Sequence, residues 1–233
     1  MAFPTVTATA VTTAGSTSGS TANVLMPATV NAGDILIAWV RASATGGHTW
    51  PAGWTEFFDE SPAGTNQTSC AWKVAVGNED GTTVNVTIAN SKYSAIAYAI
   101  GGADTPECST RAGANSNAPN PPSFDPSWGT EDTLWLWCGA WEGEQTSPPA
   151  GNPTNYTNPI GSSSGTAGAV TTNTRCASAR RNLNAATEDP PSWTISVADD
   201  WLAWVIALRT PPPPAPGPGQ LRHRPAHRFL VMR

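Results

Sequence analysis

An apolar run followed by a Pro-Ala-Gly turn occurs twice in this chain, 98 positions apart and without a gap. Asp34-Ile35-Leu36-Ile37-Ala38-Trp39 aligns with Asp132-Thr133-Leu134-Trp135-Leu136-Trp137, and Pro51-Ala52-Gly53 with Pro149-Ala150-Gly151. The duplication extends to Cys70, which aligns with Cys176, and to Thr87–Ile100, which aligns with Ile195–Leu208. An internal repeat is read before any single motif, because it fixes the unit from which the fold is assembled. Each unit carries the same order of four or five short strands. So few strands hardly bury a core alone, so the sequence predicts one sandwich built from two similar halves.

Composition agrees with an all-β chain. Only 12% of residues are charged, and the Leu, Glu, Lys and Arg that favour long helices are sparse. Alternating Val, Ile, Thr and Trp fit a pleated surface instead. The expected architecture is a single jelly-roll-like antiparallel β-sandwich over residues 1–210, with halves at about 1–104 and 125–210 and a linker at 105–124. Residues 143–155 and 158–168 read as loops, and Ser192–Val197 as a strand. The Asn78-Glu79-Asp80-Gly81 turn predicts a hairpin, and Thr83–Ile88 is expected to pair with Tyr93–Ile100.

Two strands are apolar on both faces. In residues 35–42, Ile35, Ile37 and Trp39 point one way and Leu36, Ala38 and Val40 the other. In residues 134–141, Leu134, Leu136, Cys138 and Ala140 form one stripe, and Trp135, Trp137 and Trp141 the other. A strand with two dry faces is central, or it meets a partner. Trp135 and Trp137 are therefore candidates for a subunit interface in a homo-oligomer, as well as for half a core.

Little in the chain points to chemistry. His48, the one histidine before the C-terminal tail, lies in Gly46-Gly47-His48-Thr49, where a solvated loop is the expectation; one loop histidine does not make a triad. Glu142 and Glu144 follow the tryptophan stripe, but turn solvation explains them more simply than paired glycosidic acids. The four cysteines lack CxxC spacing, so reduced, buried thiols are expected and no zinc site or other cofactor. No glycine-rich phosphate loop is present, and an acidic body argues against nucleic acid. No apolar run is long enough to span a membrane as a helix, and Met1-Ala2-Phe3-Pro4 lacks the features of a secretory signal. Trp50 and Trp54, flanking Pro51-Ala52-Gly53, are the tryptophans expected to be exposed; with Trp141 they are candidates for contact with a glycan or another surface.

Composition changes at Pro211. Pro211-Pro212-Pro213-Pro214 begins a spacer expected to be extended and semi-rigid, and residues 221–233 carry four arginines, two histidines and no acid. The preceding residues hold eight basic and seventeen acidic side chains, a net −9 against +4 for the tail. Such a contrast predicts a peptide that docks on an acidic partner, with Arg222, Arg224, Arg228, Phe229 and Arg233 as candidate anchors.

Three motifs carry a family resemblance: Gly33-Asp34-Ile35-Leu36-Ile37-Ala38, then Pro51-Ala52-Gly53-Trp54-Thr55, then Ala71-Trp72-Lys73-Val74-Ala75. With Gly101-Gly102-Ala103-Asp104 and a last strand ending Ala207-Leu208-Arg209, the pattern resembles that of β-sandwich proteins among bacteriophage virion components. The resemblance covers about residues 1–210 and leaves out the tail. It implies a non-enzymatic capsid decoration, head-appendage or minor tail protein, assembled in the host cytoplasm. Its implied partners are further copies of itself, with a trimer favoured, the major capsid or another virion protein, and in the alternative a host-surface glycan.

Overall fold

The computed structural model describes residues 2–13, 19–61, 64–143, 147–165 and 173–213. The candidate anchors Arg222, Arg224, Arg228, Phe229 and Arg233 lie outside these, as does Glu144. The described residues are all-β. The first half supplies β1 (Thr5–Thr13), β2 (Gly19–Leu25), β3 (Ile35–Ala42), β4 (Thr55–Glu60), β5 (Gln67–Val74), β6 (Thr83–Ser91) and β7 (Tyr93–Gly101). The second supplies β8 (Glu107–Cys108), β9 (Ala112–Ser116), β10 (Glu131–Glu142), β11 (Thr157–Ser163), β12 (Thr174–Ala185) and β13 (Asp199–Arg209).

Each half builds one large antiparallel sheet. The first has the order β1-β7-β3-β5-β4, and the second β11-β12-β10-β13-β8, with β9 also paired to β13. Read from the other end, the second order matches the first: β10, β12, β13 and β11 stand where β3, β5, β7 and β4 stand. The strands aligned by sequence are thus equivalent in space. The two sheets pack face to face over one shared core, in which Ile37, Trp39, Ile96 and Tyr98 meet Leu136, Cys138, Trp204 and Ile206. Trp39 sits edge-on to Trp204, with ring centroids 5.7 Å apart, and stacks on Tyr98. One sandwich from two halves is the observed arrangement.

The outer faces of both sheets are dry as well, because each half lays a further layer over its own sheet. In the first half β2 and β6 pair as a two-stranded ribbon. Its Ala22, Val24, Val86 and Ile88 pack on Leu36, Ala38 and Val40 of β3 and Ala97 and Ala99 of β7. In the second half the cover is irregular. Trp193, Ile195 and Tyr156, with the partly buried Phe124 and Trp128, close over Trp135, Trp137, Trp141 and Val205. An isolated bridge between Phe124 and Glu188 is the local remnant of pairing. Gly139 makes this packing possible, since a Cβ there would stand 2.6 Å from the Trp137 ring.

This layering overturns the interface expectation for Trp135 and Trp137. Both are 0% exposed in the single chain, and their indole N–H groups donate to the carbonyls of Leu183 and Pro191. Their second dry face meets the chain's own irregular cover. Residues 105–124 are likewise more than a linker: β8 and β9 pair with β13 and fill the position that β1 holds in the first sheet. β11 forms where a loop was expected, through register with β12, and Ser192–Val197 is cover, not strand. β6 pairs with β2 and not with β7, because the chain leaves the large sheet after β5 to build the outer layer.

Candidate functional site

The exposed aromatic candidates sit on a turn that the structure holds firmly. Trp54 N–H donates to the Pro51 carbonyl across Pro51-Ala52-Gly53, with Gly53 at φ 91°, where a side chain is disfavoured. The turn brings Trp50 and Trp54 together, with ring centroids 5.1 Å apart and planes tilted by 35°. Both are half-buried against the ribbon side of the first sheet, so each keeps part of its surface open to solvent. Trp141 does not join them. It is 0% exposed, inside the second half's outer layer on the other sheet. A contact role for Trp141 is therefore corrected to a packing role.

His48 stands directly behind this pair, and it is buried, not solvated. Its Nδ1 lies 2.7 Å from the Ser69 hydroxyl, which also accepts the Trp50 indole N–H at 3.0 Å. The His48 backbone N–H donates to Asp59, and Gln67 holds the other Asp59 oxygen, both at 2.7 Å. Histidine, serine and aspartate thus come together from three segments whose sequence spacing gives no hint of it. They do not form a catalytic relay. A triad needs the acid on one ring nitrogen and the hydroxyl on the other. Here Ser69 and Asp59, the latter 4.0 Å away, share the Nδ1 side, while Nε2 is buried without a hydrogen-bond partner. Burial outweighs the nearby carboxylate and brings the imidazole down to about 4, so it is neutral near pH 7. The network locks the Trp50 side chain in place.

A second polar cluster ties the two sheets together. Arg41, the one charge in β3, is buried. It donates to Thr68 of β5 at 3.1 Å and to the Asp200 carbonyl of β13 at 3.3 Å. Glu142 and Asp199 flank it, and burial raises both carboxyls, opposed by the Arg41 charge. Asn115 of β9 holds the Asp200 side chain. A lone arginine in an apolar strand was the available sequence signal for this cluster. Its bonds run between sheets, as a cross-tie does. Among the described residues no group of three or more His, Cys, Asp or Glu side chains is arranged to hold a metal. All four cysteines are free: Cys70, Cys138 and Cys176 are buried and Cys108 half-buried. Burial raises their thiols, Cys176 to about 11, which makes them poor nucleophiles.

No protein-family model, curated protein or solved structure matches this chain.

Proposed function

We propose that this is a non-enzymatic virion structural protein, a capsid decoration or head-appendage module whose β-sandwich body projects from the particle and whose C-terminal tail attaches it. The observation that carries the reading is the continuous core of the body. Both repeat halves share one apolar interior and each covers its own outer face, so the body is a rigid spacer. Its buried polar groups brace turns and sheets. The anchor is assigned to residues 211–233 on charge contrast alone, and the acidic partner is another virion protein. Self-association as a trimer belongs to the same proposal. Deleting residues 211–233 is expected to abolish incorporation into particles and leave the thermal unfolding of the body unchanged. Incorporation of the truncated body at full level rejects the anchor.

A second reading is favoured by one specific feature, the Trp50–Trp54 pair. Two half-exposed indoles on a braced turn form the kind of aromatic surface on which a sugar ring stacks. In this reading the chain is a minor tail or tail-fibre module that grips a host-surface glycan. Glycan-array binding that disappears in Trp54→Ala, with folding intact, supports it; a blank array for the intact chain rejects it.

A further inference from the structure

The geometry points to a binding site for a hydroxylated carboxylate of about hexuronate size, in the groove where the free edges of β1 and β11 face one another. This site lies apart from the Trp50–Trp54 turn and does not depend on the virion reading.

β1 is the edge of the first sheet and β11 the edge of the second, and contacts of β11 with β1 and β7 put both edges on the same side of the sandwich. They meet near one end, where the Ser162 hydroxyl donates to the Thr12 carbonyl. Away from that contact both strands lose regular register, β1 between Val6 and Ala8 and β11 between Thr157 and Ile160. Irregularities of this kind at sheet edges re-aim side chains and end pairing. Asn158 lies within the second, at φ 52°, a left-handed conformation that asparagine tolerates. The opened groove holds two neighbouring cavities of about 360 and 230 Å³, which share Asn158 and Arg180 in their walls. The larger falls at the lower end of small-molecule sites, which start at roughly 300 Å³, and the smaller extends it.

The chemistry of the walls selects the ligand. Arg180 and Arg181 both line the larger cavity, but Arg181 is paired with Glu188 at 2.8 Å. Arg180 has no carboxylate partner among the described residues, and no acid is among the residues lining either cavity. One uncompensated guanidinium matches a monoanion, and its planar fork matches a carboxylate. Deeper in, Tyr98 lines the smaller cavity. The residue is 1% exposed, and its hydroxyl, beside that of Ser178, makes no well-formed hydrogen bond. The neighbouring Ser178 gives its own hydroxyl to the Trp137 carbonyl. A buried phenol without a partner is costly unless something else satisfies it. A ligand oxygen held by Arg180 satisfies it. Thr5, Thr9 and Thr157 with the amides of Asn158 and Asn182 supply neutral donors and acceptors for hydroxyl groups, and Val6, Pro159 and Ile160 an apolar wall.

Calorimetric titration of the full chain with glucuronate, glucose and inorganic phosphate tests the assignment. Glucuronate is expected to bind, glucose to bind at least about ten-fold more weakly, and phosphate to bind more weakly than glucuronate. Arg180→Gln is expected to weaken glucuronate about ten-fold or more, and Tyr98→Phe by roughly five-fold, with unfolding of the Arg180 variant unchanged. Arg180→Lys, which keeps the charge and loses the fork, is expected to fall between the wild type and Arg180→Gln. No binding of glucuronate, tighter binding of phosphate, or unchanged affinity in Arg180→Gln overturns the proposal.

Discussion

The two halves share a strand order and a core, yet they cover their outer faces by different physics. The first half uses a ribbon of two paired strands, whose inward side chains are small and aliphatic: Ala22, Val24, Val86 and Ile88. Main-chain hydrogen bonds hold that layer. The second half has prolines at 119, 121, 122, 190 and 191 in the matching segments. Proline cannot donate to a ladder, so a ribbon is not available there. The layer is held instead by aromatic volume and by single bonds from side chains or amides, such as Trp137 to the Pro191 carbonyl, and Trp193 N–H to the Pro119 carbonyl. Trp137 and Trp193 also meet edge to face, with centroids 5.1 Å apart. A duplicated scaffold thus fixes which face must be covered and leaves open how.

The largest effect expected from this contrast is a difference in sensitivity to truncation. Trp137→Ala removes a large ring and orphans the Pro191 carbonyl, and is expected to cost about 3–5 kcal/mol. Val24→Ala in the ribbon is expected to cost about 1–2 kcal/mol, the transfer of two methyl groups plus a small cavity. Denaturant unfolding measures both, and equal losses would break the comparison.

Acid separates the layers next. The segment carrying His48 extends the ribbon, since Thr49 bridges to Thr87 of β6. Folded His48 takes a proton only at about pH 4, against 6.5 for a free imidazole. Between these values the unfolded chain binds more protons. This contribution is therefore intact above pH 6.5 and is lost as pH falls toward 4, by on the order of 3 kcal/mol. Hydrogen exchange at pH 5 is expected to loosen β6 before the irregular layer over β10, and His48→Asn to flatten the pH dependence across that window. Uniform loosening of both layers would show that they are not independent.

The smallest effect concerns Glu79, at the turn leading into β6. Burial alone would raise its carboxyl, but Lys73 at 2.7 Å and the amides of Val76, Gly77 and Asn78 bring it down to about 2. Its stabilisation is present above about 4.5, the ordinary carboxyl value, and is lost as pH falls toward 2. Glu79→Gln is expected to cost about 1–2 kcal/mol at pH 7 and to remove the acid loss in that lower window, as read by thermal unfolding across pH.

Much of the fold was legible because an apolar strand repeated with its turn leaves few assemblies open. The alignments of Cys70 with Cys176 and of Tyr93 with Trp201 carry through to matching faces of the sheets, whereas that of β3 with β10 slips by one residue: Trp39 faces the shared core and Trp137 the outer layer. What escaped were elements whose residues give no local signal. Ala112-Gly113-Ala114-Asn115-Ser116 is strand only because β13 offers a free edge in register. The tryptophan stripe on β10 shows a dry face, but periodicity is silent on whether chain or partner covers it. His48, Asp59 and Ser69 meet because β4 and β5 are neighbours, a fact of topology and not of spacing. Tyr98 has the sequence context of a core aromatic, and nothing local shows that its hydroxyl ends up poorly partnered beside a cavity, one strand in from the sheet edge.

The order of the sheets along the chain has one more consequence. Since the sandwich interface separates residues before Gly101 from those after Glu107, the molecule has the geometry of a two-subunit complex written as one polypeptide. A single backbone crossing joins its members. That crossing keeps the effective concentration of each member for the other high, so that neither exposes a sticky inner face alone.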